Sequence, residues 1–150
     1  MKIIASNKKA FHDYFVLEQF EAGIILEGHE VKSVRQTKVN LKDSYVKFRG
    51  TEAYVVNMHI SEYSHAAIPE TYDPTRSRKL LMHKKELTRL MGKIKEKGLS
   101  VVPLEMYFNQ KGIAKLKIGL VKGKKLYDKR EVKKKRDIER EMERQNIRIK

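Results

Sequence analysis

The sequence predicts a mainly β protein, built as a small closed or nearly closed antiparallel barrel with a few short helices and a basic tail. Short stretches of alternating apolar and polar residues recur along residues 1–121, and this spacing is typical of small barrels. One long helical pattern lies among these predicted strands. Residues 122–150 carry 13 Lys and Arg against 6 Asp and Glu, and have too few apolar residues to form a core alone.

The first elements are expected to be two strands and a short helix. Phe11 with residues 14–17 indicates one strand, and residues 24–26 indicate a second, joined around residues 21–23. A helix is predicted at residues 30–35, because its two valines lie three apart and share one helical face.

Two hairpins are predicted. The first joins residues 45–49 to 53–56 through a loop that contains Gly50, a common hairpin signal. The second joins residues 100–108 to 113–120. In its second arm, apolar residues alternate with Lys115 and Lys117, so one face should be apolar and the other cationic.

The segment between the hairpins should hold a long surface loop and then a helix. Residues 63–78 contain two of the three prolines and show no period. After them, apolar residues recur at i, i+3, i+4 and i+7 from Leu87 to Ile94, and Gly98 is expected to end this helix. We interpret this apolar stripe as the face of the helix that packs against the core.

Composition argues against several classes of function. The chain has no Cys, so a disulfide framework, thiol catalysis and Cys-based zinc sites are excluded. Its five His lack metal-ligand spacing, and Gly123-Lys124-Lys125 lacks the glycine spacing of a phosphate loop. No stretch approaches the roughly 20 apolar residues of a membrane span. We therefore expect a cytoplasmic protein that is not an enzyme and has no cofactor, metal site or membrane partner.

Positive charge points to a nucleic acid as the partner. The net charge is +15 and the pI about 9.9, values typical of proteins that bind a polyanion. Basic residues cluster at two places and are candidate RNA contacts: Lys8, Lys9, Lys115, Lys117, Lys122, Lys124 and Lys125. The aromatic residues Phe15, Phe20 and Tyr45 could stack on bases, but we interpret them as core.

Ten short blocks in a fixed order resemble one known family over nearly the whole chain. They are Asn7-Lys-Lys-Ala, His12-Asp-Tyr-Phe, Glu21-Ala-Gly, Glu30-Val-Lys-Ser, Asp43-Ser-Tyr-Val, Asp73-Pro-Thr-Arg, Arg78-Lys-Leu-Leu, Val102-Pro-Leu, Lys117-Ile-Gly, and Gly123-Lys-Lys with Asp128-Lys-Arg. Together they are similar to small protein B, the family of bacterial SsrA-binding proteins.

The resemblance implies an oligonucleotide-binding-like barrel with about three flanking helices. It implies binding to the tRNA-like domain of transfer-messenger RNA (tmRNA) and delivery to stalled 70S ribosomes in trans-translation, by a protein expected to be a monomer. Residues 1–121 would form the RNA-binding barrel. Residues 122–150 would be disordered when free and helical in the empty mRNA channel, near the decoding centre.

The resemblance also assigns individual residues. The family's RNA contacts correspond to Asn7, Glu21 and Leu81, and Lys32 lies in a matching block. His83 stands where some members have an RNA-contacting Asn, and Tyr127 stands where some have a His. The predicted ribosome-binding residues of the tail are Tyr127, Asp128, Lys129, Arg130, Lys133, Lys134, Lys135 and Arg136.

Other functions fit the same composition. A structural ribosomal protein or a general RNA-binding translation protein would also be small, basic and tailed. A membrane-surface module would need Trp or Phe and a broad apolar face in the tail, and neither is present. An RNA-modifying enzyme would need a nucleophile or a cofactor loop.

Overall fold

The computed structural model describes residues 2–63 and 71–124. Within these ranges the chain forms strands and three helices, and no helix is long and apolar enough for a membrane span. In chain order the elements are β1 (Lys2–Ser6), α1 (Lys8–Asp13), β2 (Tyr14–Ile24), α2 (Gly28–Arg35), β3 (Val39–Asn40), β4 (Tyr45–Arg49), β5 (Glu52–Val56), β6 (His59–Ile60), β7 (Arg78–Leu81), α3 (Lys84–Lys93), β8 (Leu99–Phe108) and β9 (Ala114–Gly123).

Seven of the strands form one antiparallel sheet in the order β1-β8-β9-β2-β7-β5-β4. The edge strand β4 also contacts β8, which lies one strand from the opposite edge, so the sheet curls into a nearly closed barrel. Strands β3 and β6 form a separate two-stranded ribbon. The predicted small antiparallel barrel with about three helices is confirmed.

Alternation along the strands builds the barrel core. Leu116, Ile118 and Leu120 of β9 point inward and are buried, together with Ala22 of β2 and Met106 of β8. The inward residues from neighbouring strands meet because side chains on a strand alternate between the two faces of the sheet. A smaller apolar cluster lies outside the barrel, where Ala10 of α1 packs on Val102, Leu104 and Val121.

Both predicted hairpins and the predicted helices are present. Strands β4 and β5 pair around Gly50, which has a positive φ of 62°, and β8 pairs with β9 along most of their length. The expected helix at residues 30–35 is α2. The expected amphipathic helix is α3, although it ends at Lys93 and not at Gly98.

The prediction of two strands around residues 21–23 is wrong, because β2 is one strand with a bulge between Val16 and Glu18. Ala22 is fully buried, and Gly23 pairs with strands on both sides. Ala22 and Gly23 are small because the neighbouring strands leave little space for a side chain. A Cβ on Gly23 would lie 3.3 Å from the Cβ of Leu81. Phe11 belongs to α1 and not to a strand.

The prediction of a surface loop up to residue 78 is also wrong at its end. Arg78 opens β7 and is fully buried. Its guanidinium binds the buried carboxylate of Glu30, with 2.6 Å from Nε to Oε2, and also the carbonyl oxygen of Met58 at 2.6 Å. Arg76 and Tyr72 donate to the same carboxylate. This network fixes residues 71–78 against α2.

Glu30 is ionised in this network. Burial alone would raise the pKa of its carboxyl, but hydrogen bonds from Arg76, from the Glu27 backbone N–H and from Arg78 outweigh burial and lower the pKa to about 2. Burial raises the pKa of Tyr72 to about 12, so this phenol remains a donor at neutral pH.

Candidate nucleic-acid interface

The outer face of β9, β2 and β7 brings together four of the predicted RNA contacts. Lys117 of β9 lies opposite Glu21 of β2, and Lys115 lies opposite Gly23. Gly23 in turn lies opposite Leu81 of β7. Residues directly opposite each other in a sheet project to the same face. We call the surface formed by Lys115, Lys117, Glu21, Gly23 and Leu81 the cationic face.

Leu81 gives this face an apolar element. Its side chain is 53% exposed, and it lies beside Gly23, which has no side chain to cover it. An exposed Leu next to two lysines can contact a base or a ribose while the lysines contact phosphates.

Glu21 is the acidic member of the cationic face, and Tyr107 of β8 holds it. The phenol hydroxyl donates to Oε2 of the exposed Glu21 carboxylate. Tyr107 itself is only 3% exposed. Burial, and then the hydrogen bond to Glu21, raise the pKa of the Tyr107 phenol above its ordinary value, so the hydroxyl stays a donor.

A second group of cations lies where β2 begins and β9 ends. Phe15 lies opposite Lys122, and the ammonium of Lys124 lies 5.0 Å from the centre of the Phe15 ring, within cation–π range. The interpretation of Phe15 and Tyr45 as core is wrong, since each is 46% exposed. Phe20 does pack against the core, as predicted.

The residues predicted on α1 have different environments. Lys8 and Lys9 are exposed, and Lys9 forms an ion pair of 2.8 Å with Asp43. Asn7 is buried and caps α1, where its Oδ1 accepts from the Ala10 N–H. Both amide hydrogens of Asn7 are used, on the carbonyl oxygens of Leu41 and Pro103. Asn7 therefore holds α1 on the barrel and does not offer its amide hydrogens to RNA.

Lys32 and His83 lie on two different helices. Lys32 is exposed on α2, with its ammonium 5.5 Å from the centre of the Tyr63 ring. His83 is exposed at the position before α3, two residues after Leu81, and its side chain makes no capping hydrogen bond. His83 therefore lies near the cationic face in sequence, whereas no contact links Lys32 to that face among the described residues.

The remaining predicted positions lie outside the described residues. These are Lys125 and the tail positions Tyr127, Asp128, Lys129, Arg130, Lys133, Lys134, Lys135 and Arg136. At the proposed domain boundary, β9 continues to Gly123, two residues beyond the end predicted at 121.

The structure adds cations that the sequence analysis missed. Lys79 of β7 lies opposite Tyr54 of β5, and Tyr54 lies opposite Lys47 of β4. The outer face therefore continues as a basic and aromatic surface onto the first hairpin. Arg49 lies 5.7 Å from the Tyr54 ring, and Lys79 pairs with Glu52 at 2.8 Å. The alternation of Lys47 and Arg49 along β4 was the available signal.

The chemistry of these surfaces is binding chemistry. Lysines and an arginine are able to contact phosphates, Glu21 offers a hydrogen-bond acceptor, and Phe15, Tyr45 and Tyr54 offer rings for stacking. In the ranges 2–63 and 71–124, no group of three or more His, Asp or Glu could hold a metal ion.

Comparisons with known proteins give one consistent result. A family model described as SmpB protein matches residues 4–148. Proteins named SsrA-binding protein are 57% identical over 141 residues in Geobacter sulfurreducens, covering 94% of this chain and 91% of the relative, and 57% identical over 141 residues in Nitratiruptor sp., covering 94% of each. In Thermosipho melanesiensis the identity is 51% over 140 residues, covering 93% of this chain and 95% of the relative.

A solved structure is also similar. It is described as "tmRNA-SmpB: a journey to the center of the bacterial ribosome", and it matches with a TM-score of 0.69 and 47% identity. The match covers 83% of this chain and 85% of that chain.

Proposed function

We propose that this chain, which belongs to the SmpB protein family, binds tmRNA and delivers it to stalled bacterial ribosomes in trans-translation. The support is a solved relative that carries tmRNA and the ribosome in its description, together with a surface here suited to RNA. The chain acts as a binding protein, in the cytoplasm and as a monomer.

One observation carries the proposal: the cationic face combines two lysines, a held carboxylate and an exposed Leu on adjacent strands. Lysines alone would bind any polyanion through its phosphates. A carboxylate repels phosphate, so Glu21 favours a ligand that presents a hydrogen-bond donor at that point. We infer that the ligand is a folded RNA, and specifically the tRNA-like domain of tmRNA.

The tail is proposed to act separately from the barrel. Residues 122–150 carry +7 of the +15 net charge, and good helix formers dominate residues 129–144 without Pro or Gly. An anionic mRNA channel would offset the repulsion among Lys133, Lys134, Lys135 and Arg136. We propose that the tail becomes helical there and that Tyr127 and Asp128–Arg130 contact the ribosome.

Sequencing the RNA that co-purifies with the full chain from bacterial cells tests the proposal. The expected result is strong enrichment of tmRNA over ribosomal RNA, with the protein present in far fewer copies than ribosomes. A structural ribosomal protein would instead co-purify with ribosomal RNA at one copy per ribosome, and that outcome would refute the proposal.

A further inference from the structure

A buried tyrosine and an exposed carboxylate contact each other across one intervening strand. Tyr107 lies in β8 and Glu21 in β2, with β9 between them. The tyrosine hydroxyl donates to Oε2 of Glu21. Among the described residues, Oε1 of Glu21 has no hydrogen-bond partner. One oxygen of the carboxylate is therefore fixed by Tyr107, while the other is available to accept a hydrogen bond from a ligand.

The lysine beside this carboxylate has no ion pair. Lys117 lies directly opposite Glu21 on one side and Glu105 on the other. Nevertheless, no ion pair within 4 Å involves Lys115 or Lys117 in the part of the chain that the structure describes. A mobile Glu next to a Lys would be expected to pair with it. The Glu21 carboxylate bonds to Tyr107 and not to Lys117.

We propose that Tyr107 is a positioning residue: it holds Glu21 as a pre-oriented acceptor for a donor group of the bound RNA, and it leaves Lys115 and Lys117 open to phosphates. The donor is an exocyclic amino group of a base or a ribose 2′-hydroxyl, since both can donate to a carboxylate. This inference rests on the proposed function of the cationic face.

Pre-orientation matters because an exposed Glu side chain samples many rotamers. Fixing the carboxylate before RNA arrives removes an ordering cost from binding. Tyr107 is suited to this task because its side chain is almost fully buried, which limits the motion of the ring, and because a phenol carries its proton at neutral pH when its pKa lies above the ordinary value.

The test compares Tyr107→Phe in two backgrounds, using full-length chain and the tRNA-like domain of tmRNA as the probe. Tyr107→Phe removes the hydroxyl and keeps the ring in its place. We expect it to weaken binding about five- to tenfold, the effect of having to order one side chain on binding. In a Glu21→Ala background the same substitution should cause no further loss, because its partner is absent.

Glu21→Asp provides a second variant that leaves the core intact. It keeps the charge but shortens the side chain by one methylene, so the carboxylate no longer reaches Tyr107. We expect the same five- to tenfold loss as for Tyr107→Phe, again the effect of having to order one side chain on binding. Thermal unfolding of each variant verifies that the protein is folded. If Tyr107→Phe unfolds, full affinity of Glu21→Asp for the probe still overturns the inference.

The outcomes separate this inference from the proposed function. Equal losses from Tyr107→Phe in both backgrounds would make Tyr107 a purely structural residue and overturn the inference. Full affinity in Tyr107→Phe or in Glu21→Asp would overturn it as well. In those cases the wild-type chain still binds the probe, whereas failure of the wild-type chain to bind refutes the proposed function itself.

Discussion

Replacing the buried carboxylate of Glu30 should strongly destabilise the barrel at neutral pH. Glu30→Gln keeps the shape of the side chain but removes the only negative charge that the fully buried Arg78 contacts among the described residues. The carbonyl oxygens of Met58 and Pro74 still accept from Arg78, yet they carry no full charge. Breaking a buried ion pair by removing one partner typically costs about 3–5 kcal/mol.

The pKa of Glu30 gives an independent magnitude. The pKa falls from 4.5 to about 2 on folding, and each pKa unit corresponds to about 1.4 kcal/mol. The ionised carboxylate therefore contributes about 3 kcal/mol to the free energy of unfolding at neutral pH. Because the folded pKa is the lower one, this contribution is complete above pH 4.5 and is lost as the pH falls toward 2.

Urea unfolding followed by circular dichroism at pH 7 and pH 3 measures both effects. We expect Glu30→Gln to lower the free energy of unfolding by about 3–5 kcal/mol at pH 7. The difference in this free energy between the variant and wild type should be smaller at pH 3. The matched control is Glu52→Gln, which breaks the exposed ion pair with Lys79 and should change stability little, since water screens that pair. Equal effects of the two substitutions, or parallel pH profiles of Glu30→Gln and wild type, would refute the reasoning.

Three further predictions concern the barrel and the tail. Gly119→Ala should lower the free energy of unfolding by about 1–3 kcal/mol, because its Cβ would lie 2.7 Å from Cδ1 of the buried Leu104; Gly92→Ala, where nothing lies within 4 Å, should not destabilise in the same urea titration. A chain that ends at Lys125 should bind tmRNA with nearly wild-type affinity yet fail to support peptide tagging on stalled ribosomes; loss of most RNA affinity would contradict separate roles for barrel and tail. Ile138→Pro should abolish tagging but not RNA binding, because proline costs roughly 3 kcal/mol inside a helix, whereas normal tagging would rule out a helical tail.

Local sequence patterns are sufficient to predict the elements whose packing or pairing partners lie near them in the sequence. The two hairpins show clear alternation and a Gly-containing turn, and Leu87 to Ile94 show one helical stripe, most of which lies in α3. In these hairpins the paired residues lie at most 23 positions apart, on either side of one turn, so a local stretch of sequence contains the information.

Long-range constraints explain the errors. Ala22 and Gly23 resemble a turn in the sequence, but they are small because strands on both sides crowd β2. Arg78 looked like a loop residue, and its burial depends on Glu30, 48 positions earlier. A local sequence pattern contains no information on the strands that flank β2 or on the distant negative charge of Glu30.

The same limit applied to the candidate site. The clustering of basic residues and their alternation along the strand predict the lysines of β9 as candidate contacts, and the family resemblance supplies Glu21 and Leu81. The link between Tyr107 and Glu21 joins residues 86 positions apart, and no local signal indicates it. Asn7 is a predicted RNA contact whose amide hydrogens bond inside the protein. A polar residue just before a helix is also the signal of an N-cap.

Selective binding of tmRNA can be measured by filter binding, which compares the affinity of the full chain for the tRNA-like domain of tmRNA with its affinity for an unrelated RNA duplex of equal length. Both affinities should fall as salt increases, because both RNAs contact the lysines through phosphate. We expect the tRNA-like domain to bind more tightly than the duplex at every salt concentration, and Glu21→Gln to weaken binding of the tRNA-like domain more than binding of the duplex. Equal affinities for the two RNAs, unaffected by Glu21→Gln, would refute selective recognition of tmRNA by the cationic face.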